Sequence, residues 1–278
     1  MSARHEEGRL AGAGGIELYW QAWLPEAEPR AVVVVAHGAS EHSSRYAHVA
    51  ERLAAGGYGV YALDHRGHGR SEGKRAQLGR LDHVIADLRR FVDLAAERHP
   101  GAPVFLLGHS MGGGIATTYT IRHQDTLTGL VLSAPVADPD AAGAVTRGVS
   151  KVLSALAPDL GVYSVDAGLV SRDPEVVRRY EEDPLVYHGK LPARTVSELT
   201  AAVRRFPAEV PGLRLPLLVM HGDADGLVPV AGSRMIHERA GSDDKTIRIW
   251  EGLYHEILNE PEQDQVMDVV VAWLDERA

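Results

Sequence analysis

One serine, the five histidines that follow it and two nearby aspartates have the types and spacing needed for nucleophilic catalysis. The serine is Ser110, inside Gly108-His109-Ser110-Met111-Gly112, a G-x-S-x-G string. An apolar run at 104–107 precedes it and a helical run at 115–119 follows. Strand, sharp turn and helix are what a nucleophile elbow requires, with the serine raised above the sheet at the positive end of a helix. Gly108 and Gly112 leave room where a Cβ would clash. A serine hydroxyl attacks only when a base takes its proton. The histidines downstream are His123, His188, His221, His237 and His255. His255 lies in Trp250-Glu-Gly-Leu-Tyr-His-Glu256, just past the last strand-like run, where a base on a carboxyl-end loop belongs. His221 directly ends its run and reads as packed there. His123 falls on the far side of the elbow helix, and His237 on a helix surface. His255 is therefore the expected base.

The acid has to orient His255 and stabilise its imidazolium. It is expected from His221-Gly-Asp-Ala-Asp-Gly-Leu-Val-Pro229, where Asp223 and Asp225 compete. Asp223 suits a local bond to backbone N–H groups of the turn. Asp225 lies further from the strand and could reach inward. Spacing alone leaves both open. An oxyanion hole needs two N–H donors. Met111, the residue after the nucleophile, supplies one, and Ala39, in the His37-Gly38-Ala39 loop after the 31–36 run, supplies the other.

The elements that must hold these groups alternate along the chain. Strand-like runs lie at 16–23, 31–36, 59–63, 104–107, 130–132, 217–220 and 247–250. Helical patterns lie at 46–55, 84–98, 111–122 and 266–274. The run Ala31-Val-Val-Val-Val-Ala36 shows no apolar–polar alternation, as expected for a strand covered on both faces. This is the pattern of a doubly wound α/β protein with a mostly parallel central sheet flanked by helices. From 137 to 209 the alternation stops and helical patterns appear without a convincing strand. Val145, Val149, Val152, Leu153 and Leu156 share one helical face, opposite Arg147, Ser150, Lys151 and Ser154. The expected organisation is a core of 1–136 and 210–278 with a helical cap inserted at 137–209.

Composition narrows the function. The chain has 278 residues, no cysteine and a formal charge of −9. Cysteine nucleophiles and cysteine metal sites are excluded, and a nucleic-acid partner is disfavoured. The opening MSARHEEGRL has no apolar stretch after its charges and does not read as a secretory signal, so a cytoplasmic location is expected. Asp64-His65-Arg66-Gly67-His68-Gly69 carries three potential metal ligands but reads as a tight structural loop, and neither metal nor organic cofactor is expected.

Five motifs together resemble the bacterial monoacylglycerol lipases of the α/β-hydrolase superfamily, within the serine aminopeptidase S33 or hydrolase-4 group. They are His37-Gly-Ala-Ser-Glu-His42 with Arg45-Tyr46, Asp64-His-Arg-Gly-His-Gly-Arg-Ser71, Gly108-His-Ser-Met-Gly-Gly113, His221-Gly-Asp-Ala-Asp225 and Tyr254-His255. They span nearly the whole chain. The resemblance implies an α/β-hydrolase fold with the nucleophile, acid and base in the order Ser110, Asp225, His255. It implies glycerol contacts from Glu41, Arg45, His109 and Tyr180. It implies hydrolysis of a monoacylglycerol to glycerol and fatty acid through an acyl-enzyme. Lysophospholipase, short-chain carboxylesterase and cofactor-free perhydrolase or haloperoxidase are the alternatives. A second histidine of animal relatives, three positions after the base, is Leu258 here. Glu41 and Arg45 could instead form a plain loop ion pair, and Tyr180 could simply pack. Expected partners are a lipid ester, a membrane or micelle surface met peripherally through the cap, and a second copy of the chain in a homodimer.

Overall fold

The computed structural model describes residues 3–141 and 153–278. Its centre is an eight-stranded sheet with order β1-β2-β4-β3-β5-β6-β9-β10. The strands are β1 (Arg4–Ala11), β2 (Glu17–Leu24), β3 (Ala31–Ala36), β4 (Tyr58–Leu63), β5 (Val104–His109), β6 (Gly129–Ser133), β9 (Leu217–Gly222) and β10 (Lys245–Trp250). β1 and β2 run antiparallel, and the pairs from β4 to β10 are parallel.

Helices cover both faces and explain the unbroken apolar runs. In β3, Val32 and Val34 point into one core with Leu88 and Phe91 of α2 (Leu81–Arg98) and Ile115 of α3 (Met111–His123). Val33 and Val35 point into the other core, with Leu53 of α1 (Ala47–Ala55). The strand's period of two thus divides one valine run between two cores.

β1 was not anticipated. Its side chains alternate between exposed and half-buried, and the segment is rich in charge. No apolar run marks it; its backbone is held by the ladder to β2, from Arg4 opposite Leu24 to Ala11 opposite Glu17. Such a polar strand is a common way to finish a sheet edge.

Between β6 and β9, no strand among the described residues joins the main sheet. The segment carries α4 (Pro174–Glu182) and α5 (Ala193–Val203). It also carries a small antiparallel pair, β7 (Gly161–Tyr163) with β8 (Leu191–Pro192), which corrects the expectation of helices alone. Strands of two or three residues are too short to leave a periodic signature. Of the helical face expected around Val145 to Leu156, residues 142–152 lie outside the described residues. Leu153 faces the cavity described below, whereas Leu156 is 81% exposed. A four-residue helical turn at Phe206–Glu209 precedes β9, and helices α6 (Ala231–Arg239) and α7 (Gln263–Asp275) follow β9 and β10. The carboxyl ends of β3, β5, β9 and β10 open on the same side of the parallel sheet, where open α/β sheets bind ligands.

Candidate active site

Ser110 directly follows β5 and precedes α3 with φ 54 and ψ −119, a left-handed backbone that a non-glycine residue adopts at a cost. Small neighbours make the turn sterically feasible. A Cβ on Gly108 would lie 2.6 Å from the Gly112 carbonyl oxygen, and one on Gly112 would overlap the Ala36 and His37 carbonyls. The Ser110 hydroxyl is 2.8 Å from His255 Nε2. His255 Nδ1 is 2.7 Å from Asp225 Oδ2. A carboxylate only accepts, so Nδ1 carries the ring proton and Nε2 is free to accept the hydroxyl proton. Asp225 Oδ1 also accepts the N–H groups of Leu227 at 2.8 Å and Val228 at 2.9 Å. Burial pushes the Asp225 carboxyl up, but the bonds from His221 and His255 outweigh it and hold the group well below the usual carboxylate range. Asp223 is turned away and accepts the Gly252 N–H at 2.6 Å. The geometry therefore separates the two aspartates that spacing left open.

The two expected oxyanion donors flank Ser110 in the wall of one cavity. Met111 N–H is the first of α3 and has no partner within the helix. The Ala39 N–H belongs to the peptide whose carbonyl, on Gly38, lies 2.7 Å from His37 Nδ1. His37 Nε2 accepts the His65 N–H at 2.9 Å, so Nδ1 bears the proton and donates to that carbonyl. In a trans peptide the N–H points opposite to the C=O, so this bond turns Ala39 N–H away from His37. Burial lowers the His37 pKa and keeps the ring neutral, as this arrangement needs. Among the described residues, neither N–H donates to a protein acceptor.

The cavity has a volume of about 640 Å³. Val162, Leu191, Val196, Leu199, Val203 and Leu227 give it an apolar wall, and Glu41, His109, Tyr180 and Glu256 stand near Ser110. Glu41 and Tyr180 are 3% and 4% exposed. Glu41 accepts the Gly38 N–H at 2.5 Å, the Tyr46 hydroxyl at 2.7 Å and Arg45 Nη1 at 2.9 Å. Burial raises its pKa, but the Arg45 charge and its neighbours prevail and bring it down to about 2. Arg45 also grips Glu256 through two parallel bonds of 2.6 and 2.7 Å, with the Tyr180 ring centred 4.8 Å from its guanidinium carbon. The Glu41–Arg45 ion pair thus exists while Glu41 also faces the cavity, so the two readings are compatible. Glu256 was missed. Its signal was weak: a single acid beside His255, whose partner Arg45 lies far away in sequence. His109 packs its ring 4.8 Å from that of His255, and burial followed by the His255 charge takes its pKa down to about 4.

The other candidates lie elsewhere. Leu258 is buried in the core with Leu253 and Ile257. The Asp64 loop is tied to its surroundings: Asp64 accepts the N–H groups of Ser43 and Arg70, while Arg66 pairs with Asp87 of α2 at 2.7 Å. His123 stacks on Tyr119, and His188 lies 3.3 Å from the Asp183 carbonyl.

A serine, an aspartate and a histidine, in that chain order, form one hydrogen-bonded chain at the carboxyl ends of a mostly parallel sheet, the arrangement of a serine hydrolase of the α/β-hydrolase class. The profile of the serine aminopeptidase S33 (Hydrolase_4) family matches residues 27–262, and the chain belongs to that family. It is 48% identical over 275 residues to a monoacylglycerol lipase of Mycolicibacterium smegmatis, covering 99% of this chain and 98% of the relative. It is 36% identical to human monoglyceride lipase, covering 96% of this chain and 90% of that one. Its fold superposes on the crystal structure of Paleococcus ferrophilus monoacylglycerol lipase with a TM-score of 0.84, 30% identity and full coverage of both chains.

Proposed function

We propose that the protein hydrolyses monoacylglycerols, with Ser110, His255 and Asp225 as its catalytic triad and Ala39 and Met111 as its oxyanion donors. The observation that carries this reading is an apolar cavity ending in carboxylates beside a hydrogen-bonded Ser–His–Asp chain. The acyl chain occupies the apolar length. The glycerol hydroxyls donate to Glu41 and Glu256, since carboxylates accept from O–H groups. Ser110 attacks the ester carbonyl while His255 takes its proton, and the oxyanion receives the two N–H groups. His255 then protonates the leaving glycerol oxygen. Water, deprotonated by the same histidine, releases the fatty acid from the acyl-enzyme. Relatives whose names carry this activity cover nearly the whole chain.

Residues 137–209 serve in this reading as a cap, since α5 and the β7–β8 pair supply much of the cavity wall. Leu156, Leu160, Val162 and Tyr163 are exposed large apolar residues in one short stretch of it, and we assign them to contact with a lipid surface. No helix among the described residues is long and apolar enough to cross a membrane. A chain of net charge −9 gains no general attraction to anionic lipid, so docking has to come from this apolar stretch. The double substitution Leu156→Ser with Leu160→Ser should reduce co-sedimentation with neutral phosphatidylcholine vesicles and leave hydrolysis of a soluble ester unchanged. Undiminished sedimentation would remove this assignment.

A lysophospholipase is the second reading, because a 33% identical relative is the Bacillus subtilis phospholipase YtpA. Two carboxylates against one arginine leave the polar end with an excess negative charge, which disfavours a phosphate there. Rates on glycerol, glycerophosphocholine and nitrophenyl esters of one acyl chain separate the readings. The glycerol ester should exceed the phosphocholine ester by at least about tenfold in kcat/KM, the size of one lost polar contact. The reverse order would favour the phospholipase.

A further inference from the structure

Asp225 is held by two histidines. Oδ2 lies 2.7 Å from His255 Nδ1 and 2.9 Å from His221 Nε2. His221 is fully buried, and the Asp225 side chain is 1% exposed. The same His221 Nε2 lies 3.1 Å from the Val228 carbonyl oxygen, which can only accept. Nε2 therefore carries the proton and shares it between Asp225 and Val228. Nδ1 is left to accept the Ser233 hydroxyl, 2.7 Å away. With the Leu227 and Val228 N–H groups on Oδ1, four donors fill the four lone-pair sites of the carboxylate.

We propose that His221 is a positioning residue that pins the Asp225 carboxylate on His255 and limits how strongly that carboxylate holds the His255 proton. This rests on the triad assigned above. A carboxylate that shares its charge among four donors binds any one proton less tightly than one with three. Removing the His221 donor concentrates the charge on the bond to His255 and stabilises the imidazolium of the resting enzyme. The acid limb of kcat/KM, which reports the base losing its proton, then moves to higher pH. Ser233 donates to Nδ1 and helps to hold the ring in place, while the tautomer is set by the two acceptors on Nε2.

His109 at the end of β5 packs on His255, Tyr163 on β7 lies in the field of Asp225, and Glu41, Arg45 and Glu256 act on His109. None of them is altered in the variants below, so a change in the limb reports His221.

The test is the pH dependence of kcat/KM on a short-chain nitrophenyl ester, with active sites counted by fluorophosphonate titration. His221→Leu should raise the acid limb by about half a unit to one unit, as expected for one charge-assisted hydrogen bond lost at a buried carboxylate. His221→Gln, whose Nε2 can donate from the same place, should return the limb to the wild-type position. His221→Met, which also cannot donate, should move it in the same direction as His221→Leu, and it serves if the leucine variant does not fold. An unmoved limb in the leucine variant, or in His221→Met where leucine fails to fold, would overturn the proposal. So would a limb in His221→Gln displaced as far as in His221→Leu. If the wild type itself shows no Ser110-dependent hydrolysis, the triad assignment fails instead, and that outcome is distinct.

Discussion

The side chains proposed to carry the chemistry are fixed by hydrogen bonds whose partners lie far apart in sequence. Ser110 and His255 are 145 positions apart and meet at 2.8 Å. The residue types were legible because nucleophile and base each sit beside a strand-like run. The choice between Asp223 and Asp225 was not, because both lie in one turn, and only the fold shows that one faces Gly252 and the other His255. Glu256 and the orienting role of His37 were also illegible, since each acts through a partner brought in by tertiary structure. This asymmetry makes a prediction at the same scale. Asp225→Asn should lower kcat by about 10³–10⁴-fold, because an amide cannot stabilise the imidazolium or enforce the tautomer as a carboxylate does. Asp223→Ala should cost about 1 kcal/mol of stability, the net worth of one hydrogen bond, with kcat nearly unchanged. Steady-state kinetics beside urea unfolding of both variants checks this. Equal losses of kcat would contradict the assignment.

Among the elements, the buried parallel strands were read well because burial on both faces requires continuous apolar runs. β3 is the clearest case, six residues without one exposed side chain. β1 escaped because an edge strand needs only backbone pairing and tolerates the charges of Arg4, Glu6 and Arg9. The β7–β8 pair escaped because it is shorter than any detectable period. The elbow itself was legible from its glycines, and the structure gives the reason in contacts. Gly112→Ala would force a methyl into the Ala36 and His37 carbonyls, which are backbone and have little freedom to move. The variant should lose about 3 kcal/mol or more, together with the Ser110 geometry. Thermal unfolding and fluorophosphonate labelling read the two effects. A protein of wild-type melting temperature and labelling rate would show that the turn has more room than its contacts indicate.

Taken as a whole molecule, the chain places a sheet under the reacting atoms and an inserted segment beside them. The break in alternation at 137–209 was visible because strand patterns vanish there and resume just before β9. What that segment covers was not visible, since its cavity-facing residues belong to several short elements. Together these parts make a mostly apolar space of about 640 Å³ with Ser110 in its wall. Such a space suits one acyl chain with a small hydroxylated head. We propose that this space feeds a covalent serine mechanism on monoacylglycerol. The most direct measurement compares the wild type with Ser110→Ala, following fatty acid release from a monoacylglycerol and labelling by a fluorophosphonate probe. The wild type should release fatty acid and label with one equivalent of probe, and the folded alanine variant should do neither. Fatty acid release or labelling that persists in the alanine variant would contradict the account.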